Sequence, residues 1–293
     1  LFRRERDGGE LRKISLPLPP HNLHPFLPVY PHTESMNGQI DTSPIRLIVG
    51  ASAGIGLAMT RHWLTGDTGS SGYVVAVSRH ATGSPELIAL QQQGLPLVCL
   101  DVDITHPSQL EDLAGQLKAR ELSPQVVVNC AGLLHQQPDE LLPEKKLEEV
   151  NLESLQNVFT LNAFAPILLA KALLPVMPKN QHTVFASLSA RVGSVSDNHL
   201  GGWYSYRASK AAQNQLMRTL AIETRRRRPQ LCVLSLHPGT TDTALSKPFQ
   251  RNVPADKLFS AEYAAEKLAW IIDNATQEDH GRFIAWDGQD IPW

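Results

Sequence analysis

Two patterns alternate along the chain from residue 45 onward. Short runs that are apolar on both faces fall at Arg46–Val49, Tyr73–Val77, Leu95–Leu100, Val126–Val128, Thr183–Leu188, Leu231–Leu236 and Arg282–Ala285. Longer, helix-like stretches lie between them: Gly56–Leu64, Ser84–Gln93, Ser108–Arg120, Lys145–Val176, Tyr204–Arg227 and Ala261–Asn274. A strand with no polar face must be covered on both sides, and strands alternating with helices pair in parallel through crossovers. The pattern predicts an α/β fold, a doubly wound parallel sheet of about seven strands, in a single domain spanning 45–293.

Residues 1–44 depart from this pattern. A charged opening (Arg3, Arg4, Glu5, Arg6, Asp7) runs into a stretch holding Pro17, Pro19, Pro20, Pro25, Pro28 and Pro31. Each proline removes a backbone donor and fixes φ, which suits neither a helix interior nor a central strand. A disordered Pro-rich extension is expected here. It lacks the apolar core of a secretory signal, and its acids are unlike a transit peptide. The chain opens at Leu1 and Met36 stands shortly before the first strand, so the folded protein is expected to start near Met36.

Composition mainly excludes. Lys and Arg number 27 against 29 Asp and Glu, a formal net charge of −2, which offers no grip to nucleic acid or an anionic membrane. No run approaches the roughly 20 apolar residues that cross a bilayer. Cys99, Cys130 and Cys232 each sit in or beside an apolar run without metal or redox spacing, so buried, reduced thiols and a cytoplasmic setting are expected. The histidines, including His199, show no metal-type spacing, and no metal is expected. Arg225 to Arg228 close a helix before Pro229, where cations complement its dipole.

The candidate chemistry starts where the first strand runs into Gly50-Ala51-Ser52-Ala53-Gly54-Ile55-Gly56 and then a helix. A pyrophosphate approaches backbone amides at such a helix N-terminus, and side chains at the glycines would block it. Gly50, Ser52, Ala53, Gly54, Ile55 and Gly56 are therefore candidate dinucleotide contacts in a Rossmann-type fold. The second strand ends in Ser78-Arg79 with no carboxylate for ribose hydroxyls; an Arg there accommodates a 2′-phosphate, which favours NADP(H) over NAD(H). Further on, Tyr206 and Lys210 stand four residues apart, on one helix face. A phenol is a poor acid–base catalyst at neutral pH unless a neighbouring ammonium favours its ionised form. Tyr204 has Ala208 at the equivalent place and lacks that partner.

With its Gly-x-x-x-Gly-x-Gly turn and this Tyr–Lys pair in order, the chain resembles the short-chain dehydrogenase/reductase family over about 45–293. The resemblance implies adenine contacts from Asp103 and Ile104. It implies further cofactor contacts from Asn129, Ala131 and Gly132, with Cys130 where relatives have a second Asn. Pro238, Gly239, Thr240 and Thr243 would meet the nicotinamide end, beside Tyr206 and Lys210. Asn162 would hold a water in the proton relay. The remaining member is a Ser after the fifth strand, and here the sequence departs from the pattern, because Ala190 takes the usual place; Ser189 or Ser194 is left to supply the hydroxyl, Ser189 being favoured. The stretch Val195–Trp203 and the C-terminal Trp286–Trp293 resemble the C-factor-like and sniffer-like carbonyl reductases. An NADP(H)-dependent transfer of hydride to or from a carbonyl or alcohol carbon of a small organic substrate follows, with Tyr206 as acid/base. A homodimer or homotetramer packed through Lys145–Val176 and Tyr204–Arg227 is implied. The alternative is a cofactor-binding regulatory or signalling protein with little turnover.

Overall fold

The computed structural model describes residues 44–66, 72–135 and 142–293. The expected N-terminal extension lies, up to residue 43, outside the described residues. The strands are β1 (Arg46–Val49), β2 (Val74–Ser78), β3 (Leu97–Asp101), β4 (Val126–Asn129), β5 (Thr183–Leu188), β6 (Leu231–His237), the two-residue β7 (Thr240–Thr241) and β8 (Leu258–Phe259), and β9 (Arg282–Ala285). The helices are α1 (Gly54–Thr65), α2 (Pro85–Gln92), α3 (Pro107–Ala119), α4 (Leu152–Phe159), α5 (Ala165–Leu173), α6 (Tyr204–Arg227) and α7 (Ala261–Asp273).

Seven strands form one parallel sheet in the order β3-β2-β1-β4-β5-β6-β9. Arg46 is in register with Val74 on one side and Val126 on the other. Successive side chains alternate faces, so each strand feeds two cores. Ile48, Ala76, Val128, Ala186 and Leu234 pack toward α1 and α7, with Trp63, Leu268 and Ile272. Leu47, Val75, Val127, Phe185 and Val233 pack toward α3, α5 and α6, with Leu113, Leu169 and Met217. This two-sided burial is why the strands carry no polar face. The strand order reverses between β1 and β4, which opens a crevice at their carboxyl ends.

The single helix expected over Lys145–Val176 is not continuous. Leu147–Glu149 forms only a 3-10 turn, and α4 starts after Asn151, whose side chain accepts the Ser154 N–H at 2.8 Å. A π turn at Thr160–Phe164 then separates α4 from α5. Pro166 has no N–H to return to the Asn162 carbonyl, so the regular ladder cannot run through this point. The edge of β9 is covered by the last residues: Ile291 N–H reaches Phe283 O and Ala285 N–H reaches Gln289 O, each at 2.8 Å. Among the described residues no helix is long and apolar enough to cross a membrane.

Candidate active site

The glycine turn is held by hard steric limits. Gly50 (φ +79°) and Gly54 (φ +51°) take left-handed backbone, and a Cβ on Gly56 would stand 2.2 Å from the Gly50 carbonyl oxygen. That contact seats α1 directly on the turn. Ala53 provides no side-chain cap, so the first N–H groups of α1 face outward with the dipole unanswered, an arrangement that suits a pyrophosphate. A Cβ on Gly54 would meet Thr243 Cγ2 at 3.2 Å, which brings the segment after β6 over the same turn. Gly239 (φ +76°) packs so close to Phe259 and Trp286 that a Cβ would fall 2.5 Å from the Phe259 ring.

The second rim comes from β2 and β3. Ser78 buries a hydroxyl with no partner among the described residues, and Arg79 beside it is exposed. Burial pushes the Asp103 carboxyl up, but hydrogen bonds from Thr105 and the charges of His106 and Arg79 hold it below its ordinary value. Arg79 and Asp103 thus share one field. Ile104 is largely buried in the core. At the end of β4, Asn129 Nδ2 donates to Ser187 Oγ at 3.0 Å and Asn129 Oδ1 accepts the Ala131 N–H at 3.2 Å. Burial pushes the Cys130 thiol up to about 12, and its sulfur lies 3.8 Å from Met59 Sδ, so it packs as an inert side chain.

Tyr206 and Lys210 lie in the first two turns of α6, whose start is unusual. Its cap residue Trp203 is left-handed (φ 52°) and makes no side-chain cap. The buried carboxylate of Glu144 does that work from another element, accepting the Ser205 N–H at 3.2 Å and the Ser205 hydroxyl. Lys210 Nζ sits 5.9 Å from the Tyr206 ring centroid and donates to Leu188 O at 2.8 Å and Gln213 Oε1 at 2.9 Å. Burial pushes the Tyr206 phenol well above its ordinary value and the Lys210 ammonium down to about 7. For the phenol the governing influence is desolvation, among Leu134, Val158, Trp203 and their neighbours.

Asn162, fully buried in the π turn, clamps Leu133 by accepting its N–H at 2.7 Å and donating to its carbonyl at 2.8 Å. Asn162 Nδ2 also reaches Ser209 Oγ at 3.1 Å. Gly132 bridges the group: a Cβ there would lie 3.7 Å from Asn162 Oδ1 and 3.8 Å from Lys210 Nζ. The two serines separate clearly. Ser189 is 4% exposed and its hydroxyl has no partner among the described residues. Ser194 is engaged within its own loop, accepting the Asp197 N–H at 3.2 Å and lying 3.4 Å from Ser196 Oγ.

Trp203, at the end of the Val195–Trp203 stretch singled out in the sequence, packs edge-on against Phe249 (4.9 Å) and Tyr206 (6.3 Å). Other residues of this region escaped the sequence reading: His135 stacks edge-on against Phe249 (5.9 Å) while contacting Ala244 O at 3.0 Å. Leu245 and Phe249 join the same cluster. These come from loops with no motif, and only the fold brings them together. Gln213, one turn beyond Lys210, was equally silent in sequence.

The family model for short chain dehydrogenases matches residues 45–254. The chain is 32% identical over 196 residues to 1-hydroxy-2-glutathionyl-2-methyl-3-butene dehydrogenase of Rhodococcus sp. (strain AD45), 66% of this chain and 78% of that relative. It is 30% identical over 148 residues to C-signal of Myxococcus xanthus, 50% of this chain and 83% of that relative. A solved carbonyl reductase from Pseudomonas aeruginosa PAO1 in complex with NADP superposes with a TM-score of 0.70 at 27% identity, over 86% of this chain and all of that one.

Proposed function

The chain belongs to the short-chain dehydrogenase family and is an NAD(P)-dependent oxidoreductase, and from that premise we propose that it is an NADP(H)-dependent reductase of a small organic carbonyl compound. The observation that carries this reading is the buried grouping of Tyr206, Lys210 and Asn162 around Gly132, with Lys210 bonded to Leu188 O and the next residue, Ser189, holding a buried hydroxyl that has no partner among the described residues. The glycine cradle fits a dinucleotide, because a Cβ at Gly50, Gly54 or Gly56 would fill it or collide with backbone or side chain. Bound there, the nicotinamide supplies the hydride or accepts it in the reverse direction.

Ser189 Oγ and Tyr206 Oη donate to the substrate oxygen, and Tyr206 delivers its proton as that oxygen gains charge. Burial keeps the Tyr206 phenol protonated at neutral pH, so the proton that the reduction requires is in place on its oxygen. Lys210 spends two N–H donors on Leu188 and Gln213 and keeps the third for a ribose hydroxyl. The Asn162 carbonyl, denied a helical donor by Pro166, accepts from a water that resupplies the proton. Arg79 and the orphan Ser78 hydroxyl, where a carboxylate would select NAD(H), favour NADP(H); the NADP complex of the Pseudomonas carbonyl reductase supports the same choice. The faces of α4, α5 and α6 would join the chain to copies of itself.

Likeness to C-signal, a protein named for signalling, favours a second reading as a cofactor-binding regulator with little turnover. Cofactor oxidation against a panel of aldehydes, ketones and quinones separates the two. Turnover at least about tenfold faster with NADPH than NADH at subsaturating cofactor is expected, since the lost contact is a charge-assisted one. NADPH binding without turnover across the panel would contradict the enzyme reading and favour the regulator.

A further inference from the structure

Behind Lys210 lies a buried polar chain that none of the expected site residues accounts for. Gln213 is fully buried, one turn along α6. Its Oε1 accepts from Lys210 Nζ at 2.9 Å, and its Nε2 donates to Ser187 Oγ at 2.8 Å and Leu188 O at 3.1 Å. Ser187 Oγ also accepts Asn129 Nδ2 at 3.0 Å. Each partner fixes the next. Asn129 Oδ1 is committed to the Ala131 N–H, so its Nδ2 must point at Ser187; with that hydroxyl and Leu188 O as acceptors, Gln213 must present its amide nitrogen to β5 and its oxygen to Lys210. A flipped amide would set donor against donor at Lys210 Nζ and acceptor against acceptor at Leu188 O.

We propose that Gln213 is a positioning residue for Lys210, holding the ammonium both oriented and charged at the cofactor side of the site. A buried amide costs free energy unless its polar atoms are paired, and here both ends are paired, the oxygen to an ammonium. Tyr206 faces Lys210 from α6, Gly132 from the β4 exit, Leu188 O from β5, and Gly193 from the turn after β5. No carboxylate among the described residues acts on it, and burial alone sets its direction of shift. Gln213 Oε1 is therefore one of only two protein acceptors for that charge among the described residues.

This inference rests on the assignment of Lys210 to the cofactor, and its test is chosen to read Lys210 without turnover. In a Tyr206→Phe background, the pH dependence of NADPH affinity is followed by cofactor fluorescence for the parent, Gln213→Leu and Gln213→Glu. Losing an acceptor disfavours the charged amine, so Gln213→Leu should move the upper midpoint to lower pH by about one unit, a tenfold change in the proton equilibrium. Gln213→Glu puts an anion beside Nζ and should move it upward by a similar amount or more. Opposite shifts support the assignment. Identical midpoints in all three proteins would reduce Gln213 to a packing residue and overturn it. If Gln213→Leu does not fold, the sign of the Gln213→Glu shift decides alone, a shift downward or none being contrary. Absence of any NADPH binding by the parent would instead overturn the NADP(H) reading on which the inference rests.

Discussion

The two halves of the site are built on different principles. The cofactor half, from Gly50 to Gly132, is made of backbone: two left-handed glycines, a third that nearly touches a carbonyl, and strand ends pinned by Asn129. The substrate half is made of side chains from distant loops, with Trp203, Phe249 and His135 in edge-on contact around Tyr206. Backbone tolerances are narrow and shared by any dinucleotide site of this kind. Side-chain walls can be exchanged one residue at a time, and on the proposed reading they would set which carbonyl compound is accepted. The contrast predicts that damage in the first half abolishes binding, whereas damage in the second alters rate and choice.

The largest effect is expected at Gly56. A methyl group there falls 2.2 Å from the Gly50 oxygen, and both groups are backbone-bound, so α1 must move off the turn. Gly56→Ala should lose the thermal stabilisation that NADPH gives the parent. Retention of that stabilisation would show that the cradle is looser than its geometry indicates.

Next come the serines. Ser189→Ala removes one donor to the developing oxyanion and should lower kcat by about 10²-fold while sparing NADPH affinity. Ser194→Ala should stay within about threefold, because its hydroxyl is spent inside its own loop. The reverse ranking would transfer the role to Ser194. The smallest effect lies at the rim: Arg79→Ala should weaken NADPH by about tenfold and leave NADH nearly unchanged, read by paired dissociation constants. Equal loss for both cofactors would remove Arg79 from the 2′-phosphate.

The same contrast explains what could be read from the sequence. Strand β1, the Gly50–Gly56 turn and the span of α6 were legible because each is a local demand: apolar continuity, steric room, and a four-residue spacing. The Lys145–Val176 stretch misled because helical composition does not reveal that Asn151 caps late or that Pro166 breaks the ladder at Asn162. Glu144, Gln213 and Phe249 were illegible since their roles depend on partners far off in sequence or on the depth at which α6 lies. The choice between Ser189 and Ser194 was open in sequence because spacing alone cannot say which hydroxyl is spoken for.

The central claim is that Tyr206 delivers the proton in a hydride transfer. It is tested most directly by measuring NADPH affinity and carbonyl turnover side by side in Tyr206→Phe. The account expects affinity within about threefold of the parent and turnover lower by about 10³-fold or more, the scale of a lost general acid that also oriented the substrate oxygen. Turnover close to the parent's, with NADPH bound normally, would contradict it.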